Sequence, residues 1–187
     1  MKKRGIIIAI LLVLGLIGMV STEFYIKPFL KGKEEQYALE NKKPESHHIE
    51  IVEKYKNKYM GNGGNISNLN YNLPLSEIKR TNEINGEDLE FIIHYEASTD
   101  EIETRYLKSS LIYNATANFA LIENLQLITF NFQDLSYTFS RANLEKWYGT
   151  SASSLLENNL WKEKVQKELK MDSYIEEAFT EILEEKE

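Results

Sequence analysis

The sequence predicts an α+β fold: an antiparallel sheet of about four strands in two hairpins, packed by helices and preceded by one N-terminal transmembrane helix. Three observations predict it. An uncharged apolar run follows a cationic tip at the amino terminus. Two pairs of short alternating segments, each pair joined through a turn signal, lie in the middle of the chain. Segments with helical spacing flank and separate the pairs, which gives the order α-β-β-α-β-β-α-α after the anchor.

The tip is Lys2, Lys3 and Arg4, and the run Gly5–Val20 carries no charge. With Ser21 and Thr22 it reaches about 18 residues, or roughly 27 Å of helix, enough to span a hydrocarbon core. It has no polar face, so a buried core helix does not fit. The layout also suits a cleaved signal peptide, but no A-x-A-like site follows, which favours an uncleaved anchor. Lys2, Lys3 and Arg4 argue for a cytoplasmic tip, residues 1–4, although Lys27, Lys31 and Lys33 oppose it. Residues 5–22 are thus the expected anchor, 23–48 a polar stalk holding Pro28 and Pro44, and 49–187 an extracytoplasmic domain.

Within that domain, Ile49, Val52, Tyr55 and Tyr59 stand at helical spacing, and Gly61 is expected to end the helix. "SEIKRTNEI" and "DLEFIIHYEA" flank Asn85-Gly86, a hairpin signal. Leu89, Phe91, Ile93 and Tyr95 share one face of the second strand. Ile92 and His94 share the other, which is expected to be partly covered. Ser98 and Glu101 form a capping box that opens a helix running to about Glu123. Its predicted buried side holds Ile102, Tyr106, Ile112, Ala115, Phe119 and Ile122. "LQLITFNF" and "LSYTFS" form the second strand pair, joined at Gln133-Asp134. Ser140 caps the helix "RANLEKWYG", which Gly149 ends. The last segments, "SSLLENNLWKEKVQKELK" and "SYIEEAFTEILEEKE", are amphipathic, with Ile175, Ala178, Phe179, Ile182 and Leu183 on one face.

Composition narrows the chemistry. The 187 residues carry a net charge of −7. Beyond residue 22 the balance is −10, from 19 basic and 29 acidic residues, so nucleic acid is not an expected partner. With no cysteine, disulfides, thiolate metal sites, a cysteine nucleophile and a lipidated cysteine are excluded. The stretch "GNGGNIS" lacks the lysine and hydroxyl of a phosphate loop and follows no strand. Asn65-Ile66-Ser67 and Asn114-Ala115-Thr116 match the glycosylation pattern, the second in mid-helix. His47-His48 reads as a solvated pair on the stalk, and only His94 remains as a third imidazole. No serine sits in a G-x-S-x-G elbow. No catalytic residue, cofactor site or metal set is therefore predicted. Trp147, Tyr148 and Trp161 are expected in the core or lining a groove.

The segments "YKNKYMGNGGNISNLNYNLPL", "NATANFALIENLQLITFNF" and "YTFSRANLEKWYG" together resemble an uncharacterised extracytoplasmic family of Bacillota, domain of unknown function 4825. The resemblance rests on Tyr55, Lys56, Tyr59, Gly61, Asn65, Asn68, Leu73 and Pro74. It continues through Ala115, Phe119, Leu121, Ile122, Tyr137, Arg141, Leu144, Glu145, Tyr148 and Gly149. It implies a domain held behind a single membrane or lipid anchor, in other members fused to antibiotic-sensor-type membrane metallopeptidases. This chain has "INGED" in place of the expected Pro/Gly turn and no H-E-x-x-H. The resemblance implies a sensory or protein-binding module without catalysis, meeting an envelope protein or a small ligand. Tyr59, Asn65, Asn68, Arg141 and Trp147 are its candidate interaction residues. The alternatives are a secreted accessory or inhibitor of an envelope enzyme, and a hydrolase with a cleft around His94, Arg105 and Glu96.

Overall fold

The computed structural model describes residues 2–157 and 159–184. Met1 of the cationic tip and the last three residues of the acidic tail lie outside the described residues, as does Asn158. The chain divides into two compact units, residues 1–39 and 40–187.

The first unit is helical. Helix α1 (Lys2–Ser21) passes through a π-turn at Thr22–Ile26 into α2 (Lys27–Glu40). Pro28 has no N–H to give and its ring crowds the carbonyl one turn back, and a widened turn just before it absorbs both. Arg4–Glu40 is one helix long and apolar enough to cross a membrane by length and composition. The described apolar side chains from Ile6 to Val20 are all at least half exposed. Such a surface is stable in lipid and not in water. The second half of the helix is charged, with ion pairs between Lys27 and Glu23 and between Lys31 and Glu35.

The second unit holds α3 (Gly63–Asn70), β1 (Arg80–Asn85), β2 (Glu90–Tyr95), α4 (Thr104–Leu121), β3 (Leu127–Asn131), β4 (Ser136–Ser140), α5 (Arg141–Tyr148) and α6 (Asp172–Ile182). The sheet order is β1-β2-β3-β4. Both hairpins are antiparallel, as expected, but β2 and β3 pair in parallel, so the sheet is mixed. The reason lies in the connection. The 18-residue α4 between them forms a crossover, and a crossover returns the chain in the direction it left.

Period-two burial decides the faces of the sheet. Phe91, Ile93, Ile128, Phe130 and Phe139 are fully buried. The opposite face is polar and self-satisfied: Thr129 Oγ1 lies 2.7 Å from Thr138 Oγ1, and Ser136 donates to Asn131 at 2.5 Å. Ile92 and His94 on that face are half-buried. The outer edge of β4 is closed by the chain beyond α6, where Leu183 bridges Phe139 and Glu184 N–H donates to Thr138 at 2.8 Å.

Four local expectations give way. Ile49–Tyr55 forms two 3₁₀ turns rather than a helix, because Asn57 leaves to exchange backbone bonds with Leu121 and Glu123 at 2.9 and 3.0 Å. The glycines therefore start a helix instead of ending one, and Asn62 caps α3 by accepting from Asn65 N–H at 3.2 Å. Ser98 makes no cap. Thr99 N–H and hydroxyl both bind Asp134, at 2.8 and 2.5 Å, and Glu103 caps α4 through Arg105 N–H and Tyr106 N–H. Ala152–Leu156, Trp161–Gln166 and Glu168–Lys170 are short 3₁₀ and π segments where a long amphipathic helix is expected. Helix α4 itself is buried on every side from Ser109 to Leu121. By contrast Ser140 caps α5, and Gly149 ends it at φ +66°, a left-handed conformation that glycine adopts without strain. The tail is core: Ile175, Ala178, Phe179 and Ile182 are buried.

Candidate functional site

The five candidate residues fall into three places. Tyr59 is exposed beside Lys58, whose ammonium lies 5.6 Å from the ring centre. Asn65 is spent on scaffold, its amide donating to the Tyr55 carbonyl at 2.6 Å. Asn68 is exposed, and its carbonyl accepts from Asn72 at 2.8 Å. Arg141 is structural. Its guanidinium donates to the carbonyls of Phe119, Ile122 and Leu125 at 2.8, 2.7 and 2.7 Å. The Phe119 and Ile122 carbonyls belong to the carboxyl end of α4, whose last carbonyls have no helical partner and carry partial negative charge, and Leu125 lies in the turn that follows. Met60 N–H reaches Asn124 beside the same helix end, at 2.7 Å. Stretches far apart in sequence thus converge on one capping task.

Trp147 stands in a concavity. A groove of about 280 Å³ is lined by Trp147, Tyr148, Tyr174, Glu163, Lys164 and Glu168. Trp147 Nε1 donates to the Tyr174 hydroxyl at 2.8 Å, and the two rings lie 5.4 Å apart. A smaller hollow of about 140 Å³, beside Asn143, Lys146 and Glu181, is also lined by Trp147.

A second cleft, of about 290 Å³, runs between residues 45–50 and 162–170. His47 forms its inner wall and is buried, not solvated. A carbonyl oxygen can only accept, so the 2.7 Å contact from Nε2 to the Asn72 carbonyl fixes the proton on Nε2. Nδ1 then accepts from the Tyr113 hydroxyl at 2.8 Å, and that oxygen accepts from Trp161 Nε1 at 3.1 Å. Burial lowers the His47 pKa to about 4, against the opposing pull of the Asn72 carbonyl, so the ring is neutral. Burial likewise drives the Tyr113 hydroxyl far above its ordinary value. Gln166 completes the attachment by donating to the carbonyls of Pro44 and His47 at 3.2 and 2.6 Å. No single residue announces this arrangement. The one sequence signal is Trp161 ahead of an inward glutamine.

The proposed hydrolase residues do not meet. His94 contacts Glu83 and Asn131 on the open sheet face, at 3.4 and 3.3 Å. Arg105 binds Glu45 and Asp172 at 2.8 and 2.6 Å, and Glu96 pairs with Lys79 at 2.7 Å. Among the described residues no three carboxylate or imidazole groups gather as a metal set. Asn114 is buried, with its amide on the Pro74 carbonyl at 2.8 Å, so the folded chain has no room for a glycan there.

Neither the curated proteins nor the solved structures contain a match to the chain. Residues 52–142 match a family model described as a domain of unknown function (DUF4825). The match ends one residue past the arginine that closes α4, so it spans the sheet, the central helix and its cap. Over this segment the chain is similar to the DUF4825 family.

Proposed function

We propose that this protein is a single-pass membrane-anchored module whose folded domain lies outside the cytoplasm, binds a partner or ligand through its clefts, and performs no catalysis. The observation that carries the reading is the Arg4–Glu40 helix of 37 residues with its described apolar side chains uncovered. At 1.5 Å per residue it is about 55 Å long, against a hydrocarbon core of about 30 Å. The apolar half fits the lipid, and the charged half from Glu23 onward extends past it. Lys2, Lys3 and Arg4 favour retention of the tip inside. A non-catalytic role is supported by how the imidazoles are spent: His47 is locked neutral between two scaffold groups, His48 leans on Glu40, and His94 sits on an open sheet.

The chain has no cysteine, so a single introduced thiol reports its own side of the membrane. Glu87→Cys, in the exposed β1–β2 loop, is expected to react with a membrane-impermeant maleimide in intact cells. Labelling only after lysis would overturn the proposed topology.

A further inference from the structure

We propose that Lys162, Lys167 and Lys170, along the cleft opposite residues 45–50, form a binding site for closely spaced phosphate-type oxyanions. The row is a product of backbone geometry. In an α-helix five residues advance well past one turn, to about 140° around the axis, so Lys162 and Lys167 would diverge. Here Trp161–Gln166 is a π-turn, and Lys167 N–H donates to the Lys162 carbonyl at 2.9 Å, which stacks the two residues. A 3₁₀ turn follows, with Lys170 N–H on the Lys167 carbonyl at 3.3 Å, and residues three apart eclipse in that geometry. The same winding turns Gln166 inward to hold Pro44 and His47. Glu163, Lys164 and Glu168 go to the separate Trp147 groove.

The electrostatics follow. All three lysines are exposed, and among the described residues none has an ion-pair partner. They gather on a chain whose net charge is −7. Two carboxylates line the opposite wall. Glu45 is spent on Arg105 at 2.8 Å, which leaves Glu50 as the one acid opposing an anion. Of the two imidazoles in the lining, His47 has both ring nitrogens engaged, by Tyr113 and the Asn72 carbonyl, and His48 contacts Glu40 at 3.4 Å. Three ammonium groups in a row answer several charges a few ångströms apart better than a single carboxylate. Such charges are carried by a free polyphosphate or by the headgroups of an anionic lipid surface.

This site rests on the reading of the domain as a binding module. The two fail separately, because the test uses purified protein and is blind to membrane sidedness. The full chain is placed in phosphatidylcholine nanodiscs and titrated with inorganic pyrophosphate by calorimetry at low salt. In a second arm the same discs are mixed with phosphatidylglycerol vesicles and co-flotation is measured. We expect saturable binding in at least one arm, and the responding arm identifies the source. The triple variant K162Q/K167Q/K170Q should weaken it at least tenfold with an unchanged melting temperature. E50Q should strengthen it about threefold, a gain that a merely structural role for Glu50 does not produce, and K164Q should leave it within twofold. Absence of binding in both arms, or binding indifferent to the triple substitution, would overturn the proposal.

Discussion

Protonation of His47 should loosen the folded domain in a defined pH window. The folded-state pKa, near 4, lies below the ordinary 6.5 because burial penalises the imidazolium. Above pH 6.5 both folded and unfolded chains hold the ring neutral, and its stabilisation is complete. Between 6.5 and 4 the unfolded chain takes up a proton that the folded one refuses, so stability falls with falling pH. The slope is about 1.4 kcal/mol per unit, and the loss sums to about 3 kcal/mol by pH 4. Below that the difference is constant. The atoms explain the size: a second ring proton on Nδ1 would face the Tyr113 hydroxyl, whose hydrogen already points at it. Both tryptophans, Trp147 and Trp161, lie in the domain, so their fluorescence reports its unfolding by urea in the full chain held in nanodiscs. His47→Gln removes the titration while every other acid and base remains. The stability difference between wild type and variant should move by about 3 kcal/mol in the variant's favour from pH 7.5 to pH 4. A difference constant within about 1 kcal/mol would show that the ring is not held neutral, and the hydrogen-bond chain from Trp161 would have to be redrawn.

Two further substitutions test the scaffold around α4. Arg141→Ala strips three carbonyls of a charged donor and should cost about 3 kcal/mol, read as a lower urea midpoint; Arg141→Lys should recover less than half, since an ammonium cannot fork to all three. An unchanged midpoint in Arg141→Ala would remove the capping role. Asn70 and Asn118 exchange two amide bonds of 2.9 Å in the core. Each single alanine variant should lose about 2 kcal/mol, and the double variant about 1 kcal/mol less than the sum, because the second change removes a group already orphaned. Strict additivity would mean that the pair is not coupled.

What could be read locally followed local physics. The period-two pattern of Phe91, Ile93 and Tyr95 gave the buried face of β2, and the structure buries those three. Ser140 and Gly149 bound α5 because a cap and a left-handed terminus need only their own neighbours. The apolar run carries its environment in its composition. The candidate site was legible only in part. Trp147 lines a groove, while Arg141, a candidate through the family resemblance, faces inward to the end of α4 and the turn after it. The capping box at Ser98 failed because Asp134, distant in sequence, binds Thr99 first.

Sequence by itself therefore determined the apolar run of membrane-spanning length, the two strand pairs and the bounds of α5, since each rests on side-chain spacing and backbone preference within a few residues. Tertiary structure alone decided the parallel pairing of β2 with β3, the burial of His47, the inward turn of Arg141 and the lysine row of the π-turn. In each of those cases a backbone or side-chain group from a distant part of the chain offers a bond that the local preference, worth well under 1 kcal/mol per residue, cannot outweigh.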